Sequence, residues 1–247
     1  MKLPPYDLSV VLPAYREEQN LAELLPRLRK TLESHALRFE ILVIDADSPL
    51  DQTESVCREH DATCIPRRGG NNYGDAVRTG IAAASGRFCL FMDADGSHPP
   101  EFIGELLALA EQSDVVVASR YISGGGTDNS VVSALMSRVL NVTFSIALGL
   151  RCSDISNSFK LYRTEMLQEI SLQCRNFDVI EEILYSLQRH NSGLRIREIP
   201  FHFRKRAHGE TKRRLPLFIL TFLSTMIRLR FSGLHGKVKT HAVHTDQ

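Results

Sequence analysis

RFCLFMDADGSHPP, running from Arg87 to Pro100, sets an apolar strand directly against a pair of carboxylates. Phe88 to Met92 is the short apolar run of a strand buried on both faces of a parallel sheet. It stops at Asp93-Ala94-Asp95-Gly96, and Pro99 and Pro100 suit the first turn of a following helix. In open α/β sheets, ligands bind beyond the carboxyl ends of the strands. Two carboxylates one residue apart on such a tip bring hard oxygen ligands to Mg²⁺ or Mn²⁺, ions that complete their shells with substrate phosphates. An isolated D-x-D is more often a plain acidic loop, so other stretches of the chain must support the functional reading.

Outward from this stretch, strands alternate with helices. Leu8 to Leu12 is a strand, and Leu21, Leu24, Leu25, Leu28 and Leu32 then recur at helical spacing. Phe39 to Ile44 is the next strand and ends in Asp45-Ala46-Asp47. A short helix at Thr53 to His60, a weak strand at Ala62 to Ile65 and a loop over Arg67 to Asn72 follow. Tyr73 to Ala84 is a helix rich in small residues, which lets it pack close to a sheet. After the central strand come a helix from Glu101 to Glu111 and a strand at Val115 to Ala118. This alternation specifies βαβ units and a mostly parallel, Rossmann-like sheet flanked by helices. Tyr15, Glu17, Asp45, Asp47, Asp93, Asp95 and Arg120 all fall at strand ends on one sheet edge. Any single carboxylate there is more often a helix cap or a solvated turn; several together are harder to dismiss.

The composition is that of an ordinary soluble globular chain: 247 residues, 43% hydrophobic, 24% charged. A net charge of +1 excludes a polyanion binder as a whole molecule, so no nucleic-acid partner is expected. Five cysteines form no C-x-x-C pair and read as reduced thiols of a cytosolic protein. The first ten residues lack the pattern of a signal peptide. No GxGxxG follows the first strand and no GxxxxGK[ST] occurs, so neither a dinucleotide fold nor a Walker NTPase is supported. PAYREE after the first strand also lacks the glycine-rich, arginine-bearing loop of a sugar nucleotidyltransferase.

Seven blocks follow one another in order: LSVVLPAYREEQNL, FEILVIDADSPLDQT, GDAVRTGIAAASG, FMDADGSHPPEFI, ASRYISGGG, SDISNSFKLYR and REIPFHFRKRAHGETK. Over Leu8 to Lys212 the chain thereby resembles the family-2 glycosyltransferases, most of all their dolichyl- or polyprenyl-phosphate mannosyltransferase branch. The resemblance implies a GT-A fold, a nucleotide diphosphate sugar as donor, Mg²⁺ or Mn²⁺, and inversion at the anomeric carbon. It implies transfer of a sugar, mannose or glucose, to a polyprenyl phosphate at the cytoplasmic membrane face. The alternatives are an enzyme acting on a sugar or lipid hydroxyl and a non-catalytic nucleotide-sugar or membrane binder. Pro13, Tyr15, Glu17, Asp45, Asp93 and Ala94 match positions that hold the nucleotide sugar. Asp93, Asp95 and Ser97 match the metal positions, Ser97 standing where relatives often have Gln. Asp95, Arg120, Arg206 and Lys212 match the catalytic set, the three cations being expected to bind phosphates. The chain departs from the family at Asp45 to Thr53, one residue longer than the usual DDGSPDGT, at Gly70 to Gly74, and at Ser133, where some relatives carry an acceptor-loop arginine. These departures leave the base and the acceptor open. A hydroxyl acceptor would need a general base, for which Asp178, Glu181 and Glu182 are the clustered candidates.

In the second half, Val131 to Leu150 is almost wholly apolar, with Ser133, Ser137, Asn141 and Ser145 forming one narrow stripe on a helix. It reads either as a core helix or as a surface helix resting on lipid. Ser156 to Tyr162 reads as a strand, Phe177 to Gln188 as a helix and Leu194 to Phe201 as a strand. Arg204 to Arg214 carries six Lys/Arg against one Glu, and a helix follows with Thr221, Ser224, Thr225 and Arg228 on one face. That pattern fits a peripheral membrane anchor or a helix docked on the protein's own sheet. The expected partition is a GT-A domain over 1–212, an amphipathic C-terminal helix over 213–232 and a disordered tail over 233–247. A membrane surface is an expected partner, with a homo-oligomer or a membrane partner subunit left open.

Overall fold

The computed structural model describes residues 4–204 and 224–230. Its first half is built from β1 (Tyr6–Pro13), α1 (Glu18–Ser34), β2 (Phe39–Asp45), α2 (Thr53–Glu59), β3 (Thr63–Pro66), α3 (Tyr73–Ala83) and β4 (Gly86–Phe91). A 3₁₀ turn at Pro100–Phe102 leads into α4 (Ile103–Ala108), followed by β5 (Val115–Ser119), β6 (Gly126–Thr127) and α5 (Val131–Leu148). Then come β7 (Lys160–Arg163), α6 (Thr164–Glu169), α7 (Val179–His190), β8 (Ile196–Pro200) and β9 (His202–Phe203). The main sheet has seven strands in the order β3-β2-β1-β4-β7-β5-β8, and β6 pairs with β9 beside it. This is the α/β GT-A-type architecture expected from the sequence.

Alternation along the strands divides the core into two layers. Val10, Leu12, Val43, Leu90 and Val116 face α1, α2 and α4, while Val11, Ile44, Cys89, Phe91 and Val117 face α3 and α7. The small residues of α3 serve the close approach expected of them: a Cβ on Gly80 would collide with Val11 Cγ1.

One strand departs from the parallel scheme. β7 runs antiparallel between β4 and β5, with Lys160 paired to Phe91 and to Val117. An antiparallel strand begins at the edge where its neighbours end. The segment before β7 therefore arrives at the carboxyl ends of β4 and β5. Residues 156–159, expected as the start of a strand, are this incoming loop.

The other half of the edge is tied together by Arg67, which is 5% exposed. Its Nε donates to Asp45 O at 2.9 Å and Nη1 to the carbonyls of Asn71 and Asn72 at 3.1 and 3.2 Å. Nη2 donates to Ala14 O and to Ile44 O. One guanidinium thus ties together the turn after β1, the end of β2 and the loop entering α3, adding a donor to the carbonyls of Ile44, Asp45 and Asn72, which also accept backbone amides, and reaching those of Ala14 and Asn71. Burial pushes its pKa down, against the attraction of Asp45 and Asp75.

α5 is a surface helix with its polarity inverted. Its buried residues are Asn141, Phe144 and Leu148, whereas Val131, Val132, Leu135, Val139, Val142 and Ile146 are exposed. Its polar stripe turns inward from Ser137 on, Ser133 staying exposed: Asn141 bonds Ser137 and Ser156, and Ser145 donates to Leu150 O and Cys152 O. A core helix is thereby ruled out. Of the expected C-terminal helix, residues 224–230 are described, and they dock on the protein. Thr225 donates to Asp178 at 2.6 Å, and Leu229 joins the core beside α7. The polar and apolar faces expected for an anchor are not the outer and inner faces here: Thr225 is buried and Ile227 is exposed.

Replacing Arg67 takes a donor from five carbonyls, of which those of Ile44, Asp45 and Asn72 keep a backbone amide. Arg67→Met is expected to lower the unfolding free energy by about 3–5 kcal/mol. Urea titration should show a lower midpoint at unchanged slope; a midpoint equal to that of the parent chain would refute the clamp.

Candidate active site

The residues assigned to nucleotide recognition meet at the ends of β1 and β2. Pro13 closes β1, and the Tyr15 ring lies 5.6 Å from the Arg67 guanidinium and 6.0 Å from that of Arg16. Arg16 has φ of 57°, a left-handed conformation that turns the chain sharply out of the strand. Glu17 accepts a 2.6 Å hydrogen bond from Asn20 in the first turn of α1. Asp45, the last residue of β2, is buried, and burial pushes its pKa up. Its Oδ1 has no hydrogen-bond partner among the described residues. A buried carboxylate oxygen in that state is a site for an incoming donor.

The D-A-D tip follows β4. Asp93 Oδ1 accepts from Ser158 Oγ at 2.8 Å, a bond from the loop that antiparallel β7 delivers. Asp95 Oδ1 accepts both the amide and the hydroxyl of Ser97, at 3.0 and 2.6 Å. Gly96 between them has φ of 78°, which permits so tight a turn. Two of the expected roles change. Ala94 turns its side chain into the core, the residue as a whole being 2% exposed. Ser97 is fully buried, so its hydroxyl stands behind Asp95 and holds it instead of facing an incoming ion. Among the described residues no group of three His, Cys, Asp or Glu converges on a metal position. Two carboxylates with no further protein ligand suit Mg²⁺ or Mn²⁺, which keep waters and take substrate phosphates.

Arg120 is the largest departure from expectation. Its Nε and Nη2 form a bidentate pair with Asp154 at 2.7 Å each, and Nη2 also reaches Ser156 Oγ at 3.0 Å. Its ring contacts are Tyr121 and Phe203. Burial opposes the charge, but Asp154 outweighs it and raises the pKa. The guanidinium is thus neutralised inside the protein and is not an open phosphate-binding cation. The expected partners Arg206 and Lys212 lie outside the described residues.

Asp154 and Ser158, which the sequence reading did not single out, lie in a loop braced by Glu198, which accepts the amides of Ser153 and Asp154, and by Lys160. Lys160 is fully buried and donates to Ile155 O at 3.0 Å and to Asn157 O. Burial pushes its pKa down, while Asp154 and Glu181 are nearby carboxylates that favour its charge. A lysine inside the apolar run Phe159-Lys160-Leu161-Tyr162 was the visible signal. Nothing marked Asp154. The acids of α7 do not serve as an open base. Glu182 accepts the amides of Gln173 and Cys174, Asp178 accepts Asn176 N and the Thr225 hydroxyl, and Glu181 is 1% exposed.

Comparison with known proteins agrees with this geometry. The chain is 33% identical over 213 residues to a dolichol-phosphate mannosyltransferase of Pyrococcus furiosus, covering 83% of this chain and 58% of that protein. It is 29% identical over 215 residues to an undecaprenyl-phosphate 4-deoxy-4-formamido-L-arabinose transferase of Salmonella choleraesuis, covering 85% of this chain and 63% of that one. The chain therefore spans only about three fifths of the length of these relatives. Among solved structures, it is similar to glucosyl-3-phosphoglycerate synthase from Mycobacterium tuberculosis in complex with Mn²⁺, UDP and phosphoglyceric acid. The TM-score is 0.69 at 20% identity, over 95% of this chain and 80% of that one. The expected polyprenyl or dolichyl phosphate acceptor is corrected by this finding. The molecule held together with UDP in that complex is phosphoglyceric acid, and in this chain Arg120, one of the cations expected to bind phosphates, is already paired with Asp154. The family model for glycosyl transferase family 2 matches residues 9–171, well over half of the sequence, and the chain belongs to that family.

Proposed function

We propose that this protein is an inverting glycosyltransferase in which a hydroxyl of a phosphate-bearing acceptor attacks the anomeric carbon of a nucleotide diphosphate sugar, the bond to the diphosphate breaks, and the hydroxyl proton passes to the departing diphosphate or to solvent. The observation that carries it is the pair Asp93 and Asp95, each fixed by a serine at the edge where Asp45 offers an unpaired oxygen. Asp45 and Tyr15 receive the nucleoside, and Asp93 and Asp95 hold Mg²⁺ or Mn²⁺ against the diphosphate. A divalent ion bound there supplies Lewis-acid neutralisation of the charge gathering on the departing diphosphate. Ser97 and Ser158 contribute preorganisation, since carboxylates already aimed need not reorient during the reaction. The Mn²⁺, UDP and UDP-glucose bound by the M. tuberculosis enzyme support a UDP-sugar as donor. Its complexes with phosphoglyceric acid and glycerol 3-phosphate support the acceptor class.

A second feature supports a peripheral place on an anionic membrane. Val131 and Ile146 of α5 are 84% and 77% exposed, and four more large apolar residues lie between them. Arg138 and Arg151 are exposed on and just after this helix, and the chain leaves β9 at Arg204, where the sequence enters its basic run. Each basic residue near such a surface contributes about 1 kcal/mol, screened by salt.

Release of UDP from UDP-glucose should require Mn²⁺ or Mg²⁺ and proceed with phosphoglycerate or glycerol 3-phosphate but not with glycerol. Asp95→Asn should lower turnover by about a hundredfold or more with its melting temperature retained. Full turnover in excess EDTA would sink the metal-dependent reading, and equal rates with glycerol would sink the acceptor class. For the membrane reading, vesicles containing phosphatidylserine should carry the protein in flotation at low salt. The double variant Val132→Glu/Val139→Glu, altered only at exposed positions, should stay in the soluble fraction. Equal flotation of both proteins would remove α5 as the contact.

A further inference from the structure

We infer that His98 is a positioning residue that latches the D-A-D loop shut and so sets the aim of its metal-binding carboxylates. The inference rests on the metal site proposed above. Met92 N donates to Val11 O at 3.2 Å, one of the last bonds between the β4 segment and β1. One residue on, the Asp93 amide points at no strand carbonyl; it donates to His98 Nδ1 at 2.9 Å. Since Nδ1 accepts, the ring is neutral with its proton on Nε2. The bond closes a loop from Asp93 to His98 with Asp95 inside it. It works on the backbone of Asp93, while Ser158 works on the side chain.

The surroundings of the ring show that packing alone does not call for a histidine. His98 is fully buried, stacked on Phe159 at 4.7 Å and 11°, and edge-on to Phe201 and Phe203. A phenylalanine would extend that aromatic box. The imidazole instead carries a second buried nitrogen, Nε2, whose neighbour Asn157 stands short of good hydrogen-bond geometry. Burying such a group is unfavourable, and the gain set against it is the single acceptor given to the Asp93 amide. Arg204 N also donates to Ser97 O, so the loop is held from the β9 side as well.

The test compares His98→Phe, which keeps the ring shape and removes the acceptor, with His98→Asn, whose Oδ1 stands at the place of Nδ1. Mn²⁺ affinity is measured on the full chain by the EPR signal of free Mn²⁺ in the presence of UDP, and UDP affinity is measured separately in EDTA. His98→Phe should bind Mn²⁺ about tenfold more weakly, with UDP affinity in EDTA unchanged, because Tyr15 and Asp45 belong to other strands. His98→Asn should stay within about threefold of the parent chain. Parental Mn²⁺ affinity in His98→Phe, or an equal loss in both variants, overturns the inference. If His98→Phe does not fold, His98→Asn decides alone: retained affinity supports the latch and a tenfold loss overturns it. A parent chain that binds no Mn²⁺ with UDP overturns the metal reading itself, a result distinct from failure of the latch.

Discussion

Strands that all end on one edge leave their last carbonyls pointing into the space where a ligand must lie. Those carbonyls need donors, and the donors must not fill the site. Arg67 meets both demands from behind β1 and β2. Its planar fork reaches carbonyls of β2, of the turn after β1 and of the loop before α3, and its ring-facing side supports Tyr15. A lysine offers no such fork. The cost is a buried cation without a bidentate carboxylate, tolerated because Asp45 and Asp75 supply opposite charge nearby. Asp45 in turn sits half-committed, with an oxygen left for a ligand.

On the other half of the edge the same problem is solved by reversing a strand. Had β7 run parallel, its incoming loop would lie on the far side of the sheet and Asp93 would lose Ser158. The reversal brings residues 154–158 to the site but also strands their carbonyls, and Lys160 rises through the sheet to bind two of them. The buried charges then form a chain, Glu181 and Asp154 around Lys160, Asp154 on Arg120. Buried ion pairs of this kind contribute little net stability, yet removing one member is costly. Their service here is geometric: they fix the loop that aims Asp93.

What was legible in the sequence follows from this division. The parallel half obeys local rules. Apolar runs such as Val10 to Leu12 and Phe39 to Ile44, leucines at helical spacing in α1, and acidic tips after strands all announce themselves without tertiary knowledge. The D-A-D pair and Asp45 were found that way, and the structure brings them to one edge. Strand sense leaves no local mark, so β7 looked like one more strand and its entry loop was absorbed into it. Pairing leaves none either. Arg120 reads as an open cation until Asp154, thirty-four residues on, is seen against it. Arg67 and His98 sit in polar stretches, where a sequence gives no sign that a side chain turns inward.

α5 stayed open between a core helix and a surface helix for a different reason. An amphipathic stripe tells that two faces differ, but which one faces the protein is inferred from the assumption that the partner is apolar. Here the partner is the polar loop 152–156, so the serine and asparagine stripe is the inner face. Asn141 both donates to Ser156 Oγ and accepts from Ser156 N, and Ser156 Oγ also receives a bond from Arg120. The exposed apolar face is therefore wired through two side chains to the arginine that orients Asp154. The link between that face and the loop beside Asp93 is made of part-buried hydrogen bonds of 2.9–3.0 Å. An exposed apolar face is unfavourable in water; the inner face is held by directional hydrogen bonds to the loop that carries Asp154.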